Sequence, residues 1–250
     1  MDRTGKQGAA RDAADIRACG GFSLVPDLLR QVLAETKPVG HHHQSASMNL
    51  GFGFVYYGLV RALRPRHVLI IGSGHGFSAV CLALGIKDNR CGILTFVEPT
   101  LAWLSSGRPP TAGQVSAWQP AEKVRDHFSR FGVADQITHH RLVCAEFFDR
   151  YDELKLPVID LAFVDGVRAA SEVSFDFTQL LRRTRKNTYI LVHDKAFSSR
   201  RELRHSSVLR WLKVLTKNPE AFECVKFPFA KGLALVRVKR SNAWKQFEPG

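Results

Sequence analysis

The chain has 250 residues, a hydrophobic content of 45% and a formal net charge of +13. This length and composition suit one folded α/β domain with a full core. No run approaches the ~20 apolar residues that a membrane-spanning helix needs, and residues 1–18 lack the apolar centre of a secretory signal. We therefore expect no membrane span and a cytoplasmic location.

The predicted elements alternate between helices and apolar strands. Two helices are predicted at residues 24–34 and 54–63. Strands follow at 68–71, 93–97, 137–143, 159–164 and 189–192, with helices at 77–84, 121–131, 173–181 and 202–215, and a last pair of strands lies at 222–227 and 233–238. Alternation of this kind predicts parallel strands with right-handed crossovers. The last two strands must be antiparallel, because the link between them is too short for a crossover.

The predicted fold is therefore α/β, with a seven-stranded, mostly parallel sheet that ends in an antiparallel hairpin. We divide the chain into an N-terminal lead-in and helical cap at residues 1–66, the main domain at 67–240 and a tail at 241–250.

The positive charge is concentrated in the C-terminal quarter. Residues 182–240 carry 16 basic and 4 acidic side chains, whereas residues 1–181 carry 19 and 18. Such asymmetry suggests an anionic partner, and it is equally typical of a solvated face that aids solubility.

Two sets of metal-ligating residue types are interpreted as structural. The five cysteines contain no CxxC pair, which argues against a disulfide framework and a zinc site. His41, His42 and His43 are adjacent, and adjacent side chains cannot easily converge on one ion. We interpret this histidine run as a polar loop.

Polar residues at the predicted strand ends indicate a cofactor site, because open α/β sheets bind ligands beyond the carboxyl ends of their strands. The turn Gly72-Ser73-Gly74-His75-Gly76 follows the first strand and opens a helix, so its backbone N–H groups can approach a ligand closely. Glu98 ends the second strand, where a carboxylate can accept both hydroxyls of a ribose. NAD would also suit this pair of features, but the turn lacks GxGxxG spacing and the terminal hairpin is not typical of dinucleotide-binding folds.

The order of these motifs resembles the class I S-adenosylmethionine-dependent methyltransferases, in particular their bacterial small O-methyltransferase-like branch. The matching stretches lie between residues 67 and 194 and read HVLIIGSGHGFSAV, ILTFVEPT, KVRDHFSRFGVADQI, IDLAFVDG and YILVHD. The resemblance implies a Rossmann-like fold and transfer of a methyl group from S-adenosylmethionine to an oxygen, or as second choice a nitrogen, of a small-molecule acceptor. Apolar walls for this acceptor are expected from Phe52, Phe54, Tyr56 and Tyr57.

The resemblance also implies which residues hold the cofactor. The glycine turn would wrap its methionine part, Glu98 would take the ribose, the end of the third strand would flank the adenine, and the end of the fourth strand would lie beside the transferred methyl group. The residues concerned are Gly72, Ser73, Gly74, Gly76, Glu98, Cys144, Ala145 and Asp165.

The catalytic candidates are Asp165, His193 and Asp194, which end the fourth and fifth strands. Asp165 and Asp194 can share a hard divalent cation such as Mg²⁺, which would bind the acceptor hydroxyl and lower its pKa. His193 can alternatively serve as a general base. In a third interpretation Asp194 caps the next segment and Asp165 only holds the cofactor.

The sequence departs from the family pattern at three places. Ile70 stands where many relatives have an acidic residue, two positions before the first glycine, and this bears on cofactor affinity. Arg168 replaces a histidine that often follows the Asp-Gly pair, and this bears on the chemistry. The segment Arg185-Lys186-Asn187 replaces a Gly-Gly turn before the fifth strand, which we interpret as a structural difference.

A second function stays open at this point, namely a catalytically weakened methyltransferase-like module that binds nucleic acid or another anionic partner. It would use the basic C-terminal quarter, with Trp211 nearby. We also leave open whether the chain forms a homodimer. The residues that support this alternative are Arg182, Arg183, Arg185, Lys186, Arg200, Arg201 and Arg204.

Overall fold

A computed structural model of the chain describes residues 21–36, 38, 40–72, 75–98, 121–165, 177–193, 207–227 and 232–247. Its centre is a seven-stranded sheet with the order β3-β2-β1-β4-β5-β7-β6. Strands β1 to β5 run parallel, and β7 pairs antiparallel with both β5 and β6. The predicted fold class is confirmed. The strands are β1 His67–Ile71, β2 Ile93–Val97, β3 Ile137–His140, β4 Ile159–Asp165, β5 Thr184–His193, β6 Phe222–Lys226 and β7 Leu233–Val238.

Helices cover both faces of the sheet. Residues 177–182 are also helical, while residues 173–176 and 202–206 of the predicted helices lie outside the described residues. Within the described ranges, no helix combines the length and the apolarity that crossing a bilayer requires, and the four cysteines form no disulfide. The helices are α1 Pro26–Glu35, α2 Phe52–Leu63, α3 Phe77–Asn89, α4 Ala121–Arg130, α5 Cys144–Asp149 and α6 Ser207–Thr216.

Strand β1 is buried along its whole length, as expected for a central parallel strand with helices on both faces. Val68 and Ile70 pack into the core that α2, α3 and α4 share. Leu69 and Ile71 point to the opposite core, formed with α5 and α6. Ile70 therefore replaces the acidic residue of many relatives with an apolar core contact.

Strand β5 begins five residues earlier than predicted. The register with β4 shifts between Ile159 and Leu161, which marks an irregularity in this strand pair. Asn187 has φ of +69°, a left-handed conformation that asparagine tolerates better than most residues other than glycine. The Thr188 hydroxyl donates to the carbonyl oxygen of Ile159 at 2.7 Å and holds the irregular segment in place. The segment 185–187, which stands where relatives have a Gly-Gly turn, is thus part of strand β5.

Candidate active site

The glycine turn leads from β1 into α3 at the carboxyl edge of the sheet. Gly72 has φ of +73° and Gly76 has φ of +82°, and this left-handed region favours glycine. The Gly72 N–H donates to the carbonyl oxygen of Val97 at 3.1 Å, which ties the turn to the end of β2. Ser73 and Gly74, the other predicted cofactor contacts of the turn, lie outside the described residues.

Glu98 lies immediately after β2, beside the glycine turn. It is partly buried, and its N–H donates to the carbonyl oxygen of His140 at the end of β3 at 3.3 Å. Strand β3 ends at His140 instead of residue 143, so Cys144 begins helix α5 and does not end a strand. Cys144 is buried and Ala145 is exposed. The proposed ribose and adenine contacts of these residues stay predictions.

Asp165 and His193 form a buried pair at the ends of the neighbouring strands β4 and β5. They are register partners, and the Nδ1 atom of His193 lies 2.8 Å from Oδ1 of Asp165. The His193 side chain is 0% exposed and the Asp165 side chain 13%. Nε2 of His193 lies 3.1 Å from the carbonyl oxygen of Gly40. Because a carbonyl oxygen can only accept, Nε2 of His193 is the donor to Gly40, and Nδ1 faces the carboxyl group of Asp165.

His41 completes this pair, and the interpretation of the whole histidine run as a polar loop is wrong for this residue. His41 is only 5% exposed. Its ring stacks on that of His193 with centroids 4.2 Å apart, and its Nε2 lies 3.9 Å from Oδ2 of Asp165. Its Nδ1 lies 3.0 Å from the Tyr56 hydroxyl. The three side chains form a cluster that we call the His41–Asp165–His193 triad.

The loop that carries His41 is held by backbone contacts. The N–H of Phe52 donates to the carbonyl oxygen of His41 at 2.9 Å. Gly51 has φ of +56°, and a Cβ atom at this position would collide with that same carbonyl oxygen. Gln44 and Asn49 exchange backbone hydrogen bonds farther along the loop. The close approach at Gly51 is what allows the backbone to bring His41 to the strand ends.

Aromatic rings surround the triad. From the sequence we expected them to form the walls of an open acceptor site, but the rings next to the triad are core residues. Tyr56 and Phe52 are fully buried and contact His41 or His193 with their rings. Tyr57 is also buried and donates to Asp88 in α3 at 2.7 Å, while Phe54 is 42% exposed. Burial, together with the nearby charge of Asp165, raises the pKa of Tyr56, so its hydroxyl stays protonated near neutral pH.

The predicted catalytic Asp194, with the departure at Arg168, lies outside the described residues. In the basic quarter, Trp211 is buried and stacks on Phe177 at 4.4 Å, so it is a core residue and not a platform for bases. Arg185 forms an ion pair with Asp160 at 2.6 Å, and Arg237 and Arg240 pair with Glu223 and Glu220 at 2.6 and 3.8 Å.

A cavity of about 480 Å³ lies at the amino ends of β1, β4 and β5, at the edge of the sheet opposite the triad. Its lining includes the cationic side chains of Arg64, Arg66, Arg185 and Lys186. The Asp160 carboxylate in the same cavity accepts from the Arg66 N–H at 2.9 Å as well as from Arg185. Positive charge therefore exceeds negative charge in this cavity.

Comparison with known proteins identifies related sequences. A family described as a methyltransferase domain matches residues 69–195, just over half of the chain. The uncharacterised protein y4gI of Sinorhizobium fredii is 23% identical over 178 residues, covering 71% of this chain. The match covers only 18% of y4gI, so the chain spans less than a fifth of that relative.

Solved structures share the fold at low sequence identity. An O-methyltransferase of Bacillus cereus in complex with S-adenosylhomocysteine is similar with a TM-score of 0.59 and 16% identity, over 87% of this chain and 93% of that one. The O-methyltransferase TomG of Streptomyces achromogenes, involved in tomaymycin synthesis and solved with S-adenosylmethionine, gives a TM-score of 0.56 and 18% identity, over 86% and 90%.

Proposed function

Because the chain belongs to the methyltransferase-domain family, we propose that it transfers a methyl group from S-adenosylmethionine to a hydroxyl oxygen of a small-molecule acceptor. The observation that carries this proposal is the Asp165–His193 pair at the carboxyl ends of β4 and β5. Strand β4 is the direct neighbour of β1, which leads into the glycine turn. The pair and the turn therefore lie at the same edge of the sheet.

The residues at this edge fit the cofactor. Gly72 and Gly76 adopt left-handed conformations without side chains, so the backbone of the turn can approach a ligand. Glu98 follows the neighbouring strand, where its carboxylate would bind the ribose hydroxyls. When bound, S-adenosylmethionine supplies a methyl group on a positively charged sulfur. The solved structures of TomG and the Bacillus cereus enzyme hold S-adenosylmethionine or its product, which supports the same cofactor here.

In this proposal Asp165 receives the hydroxyl proton of the acceptor. With the cofactor bound, the acceptor oxygen would take the methyl group from the sulfonium sulfur, and the electron pair of the broken carbon–sulfur bond would stay on sulfur. His193 orients the Asp165 carboxyl group through the 2.8 Å contact, and the Gly40 carbonyl fixes the ring of His193 in turn. Positioning of this kind accounts for much of the rate when the methyl group is already activated.

Mg²⁺ shared by Asp165 and Asp194 does not fit the groups that surround Asp165. The described nitrogen atoms next to its carboxylate belong to two imidazole rings, those of His41 and His193. Mg²⁺ prefers oxygen ligands and retained water, whereas imidazole suits Zn²⁺ and similar ions. We therefore assign no step to Mg²⁺. A role for Asp194 stays a prediction.

The replacement Asp165→Asn tests this proposal, because it keeps the shape of the side chain and removes its ability to take the proton. Methyl transfer from labelled S-adenosylmethionine to a panel of small hydroxyl compounds should fall by about 10²–10⁴-fold in kcat. The affinity for S-adenosylhomocysteine should change little. Asp135→Asn is the matched control, since the Asp135 side chain is 81% exposed and distant from β4. An Asp165→Asn variant that retains the parental rate would contradict the assigned role.

The alternative of an anionic partner has its best support in the cavity lined by Arg64, Arg66, Arg185 and Lys186. A phosphate-bearing ligand there would be held by charge, so its affinity should fall steeply with salt. Salt-dependent retention on heparin without any cofactor binding would favour this second function. Retention that disappears in Arg64→Ala/Arg66→Ala, together with intact cofactor binding, would assign both properties to one protein.

A cytoplasmic location, a homodimer and domain limits near residues 66 and 240 stay proposals from the sequence. They are compatible with a methyltransferase that acts on a small molecule.

A further inference from the structure

We propose that the His41–Asp165–His193 triad binds one transition-metal ion of the Zn²⁺ class. The three side chains come from separate parts of the chain, and each offers one ligand atom, all within 4.8 Å of one another. Two of the residues are buried and the third is nearly so. Two imidazole nitrogens and one carboxylate oxygen are the donor set of many catalytic zinc sites, which keep a further position for water or substrate.

The outer contacts of both histidines match those of metal-ligating histidines. Such a histidine nearly always engages its second ring nitrogen with a carboxylate, a backbone carbonyl or another polar group, which fixes the ring. His193 uses Nε2 for the carbonyl oxygen of Gly40 at 3.1 Å, so Nδ1 faces Asp165. His41 uses Nδ1 for the Tyr56 hydroxyl at 3.0 Å, so Nε2 is the atom nearer to Asp165. Each ring thus presents one nitrogen to the carboxylate and anchors the other.

Ion binding requires one ring to turn. The planes of the two imidazoles make an angle of 15°, with centroids 4.2 Å apart. The lone pair of a ring nitrogen lies in the ring plane, so two nearly parallel stacked rings cannot both point at one ion. His41 is the ring that turns, because it lies on a loop, whereas His193 is held in strand β5 between two partners.

The donor set also selects the ion. Zn²⁺ and Co²⁺ accept mixed nitrogen and oxygen ligands in tetrahedral geometry, whereas Mg²⁺ and Ca²⁺ take oxygen ligands. An ion of the first kind would connect the N-terminal loop to the ends of β4 and β5. Because it would bind the folded protein and not the unfolded chain, it would also raise the melting temperature. The proposal rests on the same residues as the proposed function. With an ion bound, Asp165 and Nδ1 of His193 would be ligands, and the ion would lower the pKa of the acceptor hydroxyl in place of proton uptake by Asp165. Binding itself is measured without cofactor or acceptor, so its outcome does not depend on methyl transfer.

Calorimetric titration of the full chain with Zn²⁺, Co²⁺ and Mg²⁺ tests the proposal directly. We expect one Zn²⁺ or one Co²⁺ per chain, no binding of Mg²⁺, and a visible absorption band of Co²⁺ with imidazole ligands. The variants His41→Ala and His193→Ala should lose the band and the rise in melting temperature.

The matched control is His42→Asn/His43→Asn, which removes the other two histidines of the run. Asparagine is chosen because His42 has φ of +54°, which asparagine tolerates. This control should bind Zn²⁺ as tightly as the parent. If the parent shows no binding, or if the control loses binding while His41→Ala keeps it, the triad is not a metal site. If the parent does not bind S-adenosylmethionine, the proposed function is contradicted, whereas the result of the Zn²⁺ titration still stands.

Discussion

The imidazole rings of two histidines lie beside the Asp165 carboxylate. His193 is enclosed by the Gly40 carbonyl oxygen at Nε2 and by the Asp165 carboxyl group at Nδ1. Tyr56 is fully buried, and its hydroxyl lies 3.0 Å from Nδ1 of His41. A buried hydroxyl that loses its partner is costly, so turning the His41 ring away from Tyr56 costs free energy.

Glu98 offers the simplest test of a cofactor contact by a single side chain. Replacing it with alanine removes the hydrogen bonds proposed for the ribose hydroxyls. Glu98→Ala should weaken S-adenosylhomocysteine binding by about 1–3 kcal/mol, the scale for hydrogen bonds to a charged group. Isothermal titration calorimetry measures the change. Unchanged affinity, or a structure with Glu98 turned away from the nucleoside, would refute the ribose assignment.

The loop before α2 is the element on which the triad depends. Gly51 directly precedes this helix and Gly58 lies inside it, so the two glycines form a matched pair. Gly51→Ala places a Cβ against the His41 carbonyl at a positive φ, and it should destabilise the fold by about 3 kcal/mol, at the upper end for single replacements. Gly58→Ala meets no atom within 4 Å in a helix interior, and it should stabilise by about 0.5–1 kcal/mol.

Urea denaturation of both variants measures these changes. Equal effects of the two replacements would show that the loop does not need the close approach at Gly51. A correctly folded Gly51→Ala variant should also lose the stacking of His41 on His193, because the His41 backbone must move.

Most elements of the sheet could be predicted because their physical signals are local. The strands β1, β2, β4 and β7 are short apolar runs that end at polar or glycine residues, and their predicted limits agree with the structure to within one residue. The early start of β5 could not be predicted. Its residues 184–188 are polar and include Asn187, which locally indicates a turn, and only the pairing with β4 makes them a strand.

His41 could not be predicted as a site residue for a related reason. Its partners Asp165 and His193 are far away in the sequence, and the adjacent His42 and His43 suggested a purely local explanation. The only local signal was the glycine on each side of the run, at Gly40 and Gly51. Both have a positive φ, a backbone conformation that favours glycine, and at Gly51 a side chain would also collide with the His41 carbonyl oxygen. Asp165 and His193 were predicted because strand ends alone identify them.

At the scale of the whole molecule, buried and partly buried histidines make the stability depend on pH. Burial lowers the pKa of His127 and His139 to about 4, and it also lowers the pKa of His67 and His140 below the usual 6.5. Between these values the unfolded chain binds more protons than the folded chain, so stability decreases as the pH falls. The contribution is fully present above about pH 6.5 and is lost towards pH 4.

The urea midpoint of unfolding should therefore stay constant at and just above pH ~7 and should fall steadily as the pH is lowered towards about 4.5. His139→Gln should reduce the slope, because the replacement side chain does not take up a proton. A midpoint that is independent of pH in this window would contradict the burial of these rings.

In the proposed function, the carboxyl edge of the sheet holds S-adenosylmethionine. Calorimetric titration of the whole chain with S-adenosylmethionine and with S-adenosylhomocysteine, each with and without Mg²⁺, tests it most directly. We predict one molecule of either compound per chain, with an affinity that Mg²⁺ does not change. The absence of binding by both compounds, for a chain that melts cooperatively, would contradict the claim.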